Sequence, residues 1–292
     1  MRNAFIEELV FLARKHSQIA LIVGDLGFSV VEPFAEEFPD RFVNAGVAEQ
    51  NMTGLAAGMA SEGYHVFTYS IANFPTFRCA EQIRNDVDYH NLPVTVVAVG
   101  GGVAYGNLGY SHHAVQDYAL LRCMPNILIA APGDPMEVRA CLNYLVENPQ
   151  PSYLRLGKAG EACLHHKVPE VLPGEWLTVR GTKNTERVIL STGATLQLAM
   201  QWKQTEEYSN FGVTTLPLWG MHQKVQQPEK ISMYQEVHTI EDHLIDGGFG
   251  SWILESIRLN NDLLSRVKLH GLDSTVCGMV AKQETMWIER LL

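Results

Sequence analysis

The 292-residue chain is 46% hydrophobic and 18% charged, which is typical of a globular protein and excludes disordered, collagen-like and coiled-coil chains. Its 22 Lys and Arg against 32 Asp and Glu leave a net charge of −10 without a basic cluster, so nucleic acid is not an expected partner. We find no signal peptide and no apolar run of the roughly 20 residues that span a bilayer, and we expect a cytoplasmic protein without membrane contact. Five scattered cysteines without CxxC spacing favour reduced thiols over disulfides or a thiolate zinc site.

In the first half of the chain, short β-branched runs alternate with segments of helical periodicity. The runs predict strands at 19–23, 66–69, 94–99 and 127–130. A helix is predicted from about Val47 to Glu62, where Gly63 ends it. Another begins with Asp134 as N-cap, followed by Pro135 and Glu137. Alternating strands and helices predict an α/β fold with a largely parallel sheet.

The second half repeats this alternation after a polar stretch. Residues from about 158 to 186 are rich in Gly and Pro and predict a linker. Strands are then predicted at 188–190, 213–216, 237–240 and 267–269. We therefore predict two consecutive α/β domains, each with a mostly parallel sheet flanked by helices: 1–160, a linker at 161–185, and 186–292.

The helix that begins near Glu49 has an unusual face. Gly54, Ala57, Gly58 and Ser61 share one side at helical spacing, so another backbone can approach closely, including that of a second subunit. Glu49 itself lies in the first turn, where a carboxylate is favourable whatever its function.

Several ordered motifs together resemble a known family. Gly46-Val-Ala-Glu-Gln50 with the small-residue helix, Glu81-Gln-Ile-Arg-Asn85, Gly109-Tyr-Ser-His112 and Pro132-Gly-Asp134 resemble the pyrimidine-binding domain of transketolase and its thiamine-diphosphate relatives. His238-Thr-Ile-Glu-Asp-His243 and Gly247-Gly-Phe-Gly250 are similar to the C-terminal domain of those enzymes. The resemblance implies both domains of the predicted fold.

The diphosphate-binding domain of those enzymes has no counterpart here. Its Gly-Asp-Gly motif, which holds the diphosphate and Mg²⁺, is not matched by Gly24-Asp-Leu-Gly27. The resemblance therefore implies the C-terminal subunit of a split transketolase. A separate N-terminal subunit would hold most of the thiamine diphosphate and the Mg²⁺, in an α2β2 heterotetramer, and we expect no metal ligand in this chain.

The resemblance also implies cofactor-binding residues. Glu49 matches the glutamate that gives a proton to the pyrimidine N1′, which favours the imino tautomer whose nitrogen removes the thiazolium C2 proton. A buried carboxyl would stay protonated for this purpose. Phe74 matches the aromatic ring that stacks on the pyrimidine, with Phe77 as the alternative, and Asp25 matches an aspartate near the cofactor.

Other matches concern substrate. His112 matches a catalytic histidine that binds the hydroxyl and carbonyl region of the donor sugar, whereas its neighbour His113 is expected to be structural. Arg2 and Ser29 lie where phosphate ligands are found, and Lys158 replaces a distal phosphate-binding arginine. The remaining histidines, His165, His166, His238 and His243, lack metal-site spacing and predict solvated or structural roles.

Some positions depart from the family pattern. Leu108 replaces an aspartate that binds a substrate hydroxyl, Gly100–Gly102 replace a histidine, and Tyr110 is added near the expected pocket mouth. These departures put the ordinary pentose phosphates in doubt and favour an acceptor that is bulkier or unphosphorylated.

The resulting prediction is an enzyme of carbohydrate metabolism that transfers a ketol or acyl unit from a keto-sugar or 2-keto donor to an aldehyde or ketone. Alternatives are the β subunit of a 2-oxo-acid dehydrogenase, a decarboxylase similar to deoxyxylulose-phosphate synthase, and a non-catalytic regulatory subunit. His112 favours transketolase. Glu49 argues against the regulatory subunit, because an idle buried carboxyl is costly.

Overall fold

The computed structural model describes residues 1–181 and 185–291. Residues 182–184 of the predicted linker and residue 292 of the predicted second domain lie outside the described residues. The strands are β1 (Ile19–Val23), β2 (Phe42–Asn44), β3 (His65–Ile71), β4 (Val94–Val99), β5 (Leu128–Ala130), β6 (Ser152–Leu156), β7 (Leu177–Arg180), β8 (Arg187–Ser191), β9 (Gly212–Thr215), β10 (Leu218–Gly220), β11 (Glu236–Leu244) and β12 (Val267–Leu272).

Helices connect most of these strands. They are α1 (Arg2–Lys15), α2 (Glu32–Glu37), α3 (Glu49–Ser61), α4 (Phe74–Phe77), α5 (Ala80–Gln82), α6 (Asp117–Leu121), α7 (Pro135–Glu147), α8 (Leu196–Trp202), α9 (Gln227–Ser232), α10 (Phe249–Ser256), α11 (Asn261–Arg266) and α12 (Gln283–Arg290). A π-helical segment, Ile83–Asp88, continues α5.

The described strands form two mostly parallel sheets, which confirms the predicted α/β fold class. The first has the order β10-β5-β6-β4-β3-β1-β2 and the second the order β12-β11-β8-β9-β7. In each sheet one edge strand is antiparallel, β10 against β5 and β7 against β9. The other pairings are parallel, and each parallel neighbour is reached by a crossover connection.

Strand β1 shows why the continuous apolar runs form central strands. Ile19, Leu21 and Val23 face one core, which contains residues of α1 and α7. Ala20 and Ile22 face the other, which contains Met52 and Ala56 of α3. Because a strand alternates its side chains between two faces, a strand covered on both faces must be apolar at every position.

Helix α7 begins where its capping residues predict. The Asp134 carboxylate accepts a hydrogen bond of 2.8 Å from the Glu137 backbone N–H, and Pro135 occupies the first helical position. Val138, Cys141, Leu142 and Leu145 then bury the predicted apolar face.

Two short strands cross the predicted divisions of the chain. Strand β10, from the second half, pairs with β5 at the edge of the first sheet. Strand β7 lies inside the predicted linker and pairs with β9 in the second sheet. Strands of three or four residues carry too little periodicity to predict. Within the described residues, no helix combines the length and apolar character needed to cross a bilayer.

Candidate active site

Glu49 is the first residue of α3 and lies near the carboxyl ends of β1 and β3, where ligand sites of parallel sheets usually form. Its side chain is only 3% exposed. Ser70 of β3 donates a hydrogen bond of 3.5 Å to Glu49 Oε1, and Arg78 Nη1 donates one of 3.0 Å to Oε2. The predicted catalytic carboxyl is therefore buried and paired with a guanidinium group.

Arg78 connects Glu49 to an aromatic wall. Its guanidinium carbon lies 4.2 Å from the centre of the Phe74 ring, within cation–π distance. The His112 ring meets Phe74 edge-on, with 5.4 Å between centroids. Phe77 is 44% exposed, so Phe74 is the better placed of the two predicted aromatics. Arg78 thus brings Glu49, Phe74 and His112 into one cluster.

The loop that carries His112 is held beside α4. Asn73 Nδ2 donates a hydrogen bond of 3.1 Å to the carbonyl of Ser111, and Ser111 Oγ lies 3.0 Å from His112 Nδ1. Gly109 permits the turn because its φ of 79° is in the left-handed region. The neighbouring His113 is fully buried, and burial lowers its pKa, as expected for a structural histidine.

An open cavity of about 370 Å³ lies against Glu49. Val47, Gln50, Asn51 and Arg78 line it together with Glu49. The first turn of α3 contributes much of this lining, and the first N–H groups of a helix have no partner within the helix. A planar ring entering this cavity would meet Glu49 and Arg78 together.

Asp25 and Ser29 lie in the exposed loop after β1 and outside the cluster around Arg78. Asp25 has a φ of 55° and accepts a hydrogen bond of 3.0 Å from Asn44 Nδ2. Ser29 has a φ of 62°, and its backbone N–H donates to Glu32 Oε1 at 2.7 Å. Left-handed backbone at non-glycine residues is strained and is frequent at ligand sites.

Arg2 and Lys158 both lie beside Tyr105. Arg2, Tyr105 and Ser70 line a cavity of about 210 Å³, and Ser70 also contacts Glu49. The Lys158 ammonium lies 5.7 Å from the centre of the Tyr105 ring. Arg2 Nε is buried without a hydrogen-bond partner among the described residues. Two predicted phosphate ligands are thus close to one tyrosine that the sequence did not single out.

The glycines at 100–102 do not open space. A Cβ at Gly100 would collide with the Tyr105 ring, one at Gly101 would lie 2.5 Å from Arg155 Nε, and one at Gly102 would collide with the Asp242 carboxylate. The absence of side chains at these three positions therefore leaves no open space beside them. Tyr105, Arg155 and Asp242 fill the space that a histidine side chain would need.

The sequence missed Arg78, Ser70 and Tyr105. Arg78 follows the aromatic segment 74–77, but no spacing rule connects a single arginine to a glutamate 29 residues earlier. Ser70 is one polar residue of a buried strand, and Tyr105 is one aromatic residue of a loop. Only the parallel pairing of the strands brings them together.

Comparison with known proteins agrees with this architecture. The family described as transketolase, pyrimidine binding domain, matches residues 1–160. A putative transketolase C-terminal section of Methanocaldococcus jannaschii is 32% identical and covers 93% of this chain and 87% of its own. One of the subunits of the apulose-4-phosphate transketolase of Phocaeicola vulgatus is 33% identical over 89% of this chain and 84% of its own.

Solved structures give the same result. A chain of a split-gene transketolase, solved as an inactive β4 tetramer, aligns with a TM-score of 0.83 at 27% identity, over 98% of this chain and 92% of that chain. The transketolase of Leishmania mexicana, at 17% identity, shares the fold with a TM-score of 0.73, over 99% of this chain and 42% of that chain. The chain therefore belongs to the transketolase family of transferases and is the C-terminal subunit of a split, transketolase-like enzyme.

Proposed function

We propose that this subunit activates thiamine diphosphate for two-carbon ketol transfer, with Glu49 as the residue that controls the cofactor's proton. The single observation behind the proposal is the Glu49–Arg78–Phe74 arrangement: a buried carboxyl and an aromatic face that hold one flat, nitrogen-bearing cation between them. An aminopyrimidine ring is also flat and bears ring nitrogens, so the same two side chains fit it.

When bound, thiamine diphosphate supplies a thiazolium carbon that becomes nucleophilic after losing its proton. Glu49 would hold a proton at the pyrimidine N1′, where its burial at the start of α3 excludes water. Phe74 would support the ring from one side. His112, edge-on to Phe74, would hydrogen-bond the hydroxyl and carbonyl region of the sugar. Asp25, and Phe77 as the alternative aromatic, remain further candidates at this site.

A partner subunit would complete the site. The apulose-4-phosphate transketolase relative is by its name one subunit of an enzyme, and the solved split-gene relative is an inactive tetramer of one chain type. We infer that this chain likewise needs an N-terminal subunit, which would hold the diphosphate and Mg²⁺, and that the active form is an α2β2 heterotetramer. The isolated chain should bind thiamine diphosphate negligibly in calorimetry with Mg²⁺, and micromolar binding without the partner would contradict this inference.

Glu49→Gln tests the central proposal in the reconstituted two-subunit enzyme. The amide is nearly isosteric but does not ionise, so we expect activity to fall by at least about 100-fold, the usual scale for a general acid or base. Exchange of the cofactor's C2 proton should slow with it. Glu62→Gln, at the exposed C-terminal end of the same helix, is the matched control. A variant that keeps more than about a tenth of the control's rate would exclude this role for Glu49.

For the substrate, we propose a keto sugar as donor and an aldehyde or ketone acceptor other than ribose 5-phosphate. Leu108 is 52% exposed on the loop before His112 and offers no hydrogen bond to a sugar hydroxyl. Lys158 offers only a point charge, whereas Arg2 and Ser29 could still bind a phosphate. Each missing contact to a charged group costs about 1.5–3 kcal/mol.

A substrate panel on the reconstituted enzyme tests this choice. The panel contains branched sugars and keto sugars, with and without a phosphate. The catalytic efficiency for xylulose 5-phosphate with ribose 5-phosphate should be about 10³-fold lower than for the best of them, because two lost contacts together weaken transition-state binding by about that factor. A catalytic efficiency near 10⁴ M⁻¹s⁻¹ or above for the pentose phosphates, an ordinary enzymatic value, would contradict it.

A second candidate is decarboxylating acyl transfer. The 1-deoxy-D-xylulose-5-phosphate synthase of Pelotomaculum thermopropionicum is 32% identical over 87% of this chain, although this chain spans only 40% of that enzyme. Pyruvate in the donor panel separates the two candidates. Turnover of pyruvate in preference to every ketose would favour the synthase-like reaction.

A further inference from the structure

A second cluster of ionisable side chains lies at the start of α7, where Leu164 and His165 of the segment 158–176 contact that helix. Asp134, Glu137 and His165 each place one donor atom within 4.8 Å of the others. His165 Nδ1 lies 3.0 Å from Asp134 Oδ2 and 3.8 Å from Glu137 Oε1. Both carboxylates are fully buried, and the His165 side chain is 12% exposed. This cluster is separate from the Glu49 site.

The ordinary helix cap accounts for only part of this cluster. Asp134 Oδ1 caps α7, and Oδ2 accepts backbone hydrogen bonds from Leu164 and His165. Glu137 Oε2 accepts a hydrogen bond of 2.7 Å from the Gly133 N–H. The other oxygen, Glu137 Oε1, is buried without a hydrogen-bond partner among the described residues, as is His165 Nε2. A buried carboxylate oxygen without a partner is costly and calls for an explanation.

We propose that Asp134, Glu137 and His165 bind one Zn²⁺ ion that fastens the segment 158–176 to the start of α7. The proposal does not depend on the proposed activity. Glu137 Oε1 is the ligand atom left unpartnered by the described residues, and His165 would contribute Nδ1, which lies 3.8 Å from it and would exchange its present contact with Asp134 Oδ2 for the ion. Water would supply the fourth ligand of a tetrahedral site.

Distances and ligand chemistry both favour zinc. Zn–N and Zn–O bonds of about 2.0–2.2 Å place the donor atoms of a tetrahedral site about 3–4 Å apart, close to the two distances to His165 Nδ1. Imidazole with two carboxylates suits Zn²⁺, whereas Mg²⁺ prefers six oxygen ligands. The Glu137 carboxylate is fully buried, and a divalent cation would offset the cost of burying its charge.

The experiment is a titration of the full chain, purified with chelator, with Zn²⁺ alone, and with Co²⁺ as a spectroscopic probe of tetrahedral geometry. We expect one ion per chain, bound at micromolar or lower concentration. His165→Ala and Glu137→Gln should each weaken Zn²⁺ binding by at least about 10-fold, because loss of a residue that merely hydrogen-bonds a metal ligand already lowers metal affinity by about that factor. His166→Ala, the adjacent exposed histidine, is the matched control and should bind as the wild type does.

Tryptic cleavage after the exposed Lys167 gives a second readout. Zn²⁺ should slow this cleavage in the wild type and in His166→Ala but not in His165→Ala. Because Glu137 is fully buried, its variant is informative only if its circular dichroism spectrum matches that of the wild type. His165 lies in the segment 158–176 outside the core, so the His165→Ala result tests the proposal by itself. No binding by the wild type, binding that persists in His165→Ala, or binding of Mg²⁺ in preference to Zn²⁺ would overturn the proposal.

Discussion

Arg78 contacts the two side chains, Glu49 and Phe74, that we propose bind the cofactor's pyrimidine ring. Arg78 donates a hydrogen bond to Glu49 Oε2, so a pyrimidine nitrogen cannot occupy the same position beside that oxygen. Arg78 also covers the face of Phe74 on which we propose that the pyrimidine ring stacks. The guanidinium therefore occupies the position that we assign to the cofactor ring. In the proposed binding mode the Arg78 side chain, which is 49% exposed, would have to turn away from Glu49 before the pyrimidine binds.

Arg78→Met removes this competition. In the reconstituted enzyme we expect the variant to bind thiamine diphosphate more tightly, by up to about 10-fold, because an ion-pair cost of about 1.4 kcal/mol is no longer incurred. Fluorescence titration in Mg²⁺ measures the change. Arg84→Met is the control, since Arg84 is exposed and bonds its neighbour Asn85. An affinity loss of tenfold or more in Arg78→Met would show instead that Arg78 is a ligand of the cofactor.

Among the helices, α3 combines the two features that its sequence predicts. Its first residue is the buried Glu49, and its later small residues leave one side bare. A Cβ built on Gly54 or Gly58 would meet no atom within 4 Å, and Gly58 and Ser61 are exposed. Ala57, predicted on the same face, packs into the core of this chain. The open part of the face is therefore limited to Gly54, Gly58 and Ser61, and the close contact with another subunit stays a prediction.

Gly58→Leu tests that contact. The chain itself should fold with unchanged or higher stability, because glycine in a helix costs about 0.5–1 kcal/mol, Gly58 is exposed and a Cβ there meets no atom within 4 Å. The affinity for the partner subunit, measured by sedimentation velocity, should fall by at least about 10-fold, because an inserted side chain separates closely packed helices. Gly278→Leu, at another open and exposed glycine, is the control. Normal assembly of the Gly58 variant would place the interface elsewhere.

The two sheets are joined by a buried ionic cluster. Arg155 of β6 donates from Nε to Asp117 Oδ2 at 2.7 Å and from Nη1 to the Asp242 carboxylate of β11, and all three side chains are buried. Arg155 Nη2 also donates to the Ala114 carbonyl at 2.8 Å. Desolvation raises the pKa of Asp242, whereas the guanidinium opposes that change. This cluster links β6 of the first sheet to β11 of the second sheet.

Arg155→Met should destabilise the chain by about 3–5 kcal/mol, because it leaves two buried carboxylates without their cation. Urea unfolding at neutral pH measures the loss. The triple variant with Asp117→Asn and Asp242→Asn should recover part of the stability, since it removes the unpaired charges. Exposed ion pairs contribute up to about 1 kcal/mol to stability. If Arg155→Met lowers the free energy of unfolding by less than that, the cluster does not hold the two sheets together.

Local sequence signals determined much of this protein. Strand β4 is found at the predicted residues, since its β-branched run is buried on both faces. Helix α7 begins at its predicted cap, and Glu49 lies in the first turn of α3, as predicted, although the helix begins two residues later than expected. These features depend on neighbours within a few residues, so periodicity and capping chemistry predict them.

The tertiary structure alone decided the rest. Strand β10 joins the first sheet, Arg78 pairs with a residue 29 positions away, and Arg155 bonds one 87 positions away. Tyr105 fills the space beside Gly100, although five residues separate the two along the chain and no motif connects them. Such contacts form only after the parallel strands have brought distant segments to one edge of the sheet, and no local pattern in the chain specifies them.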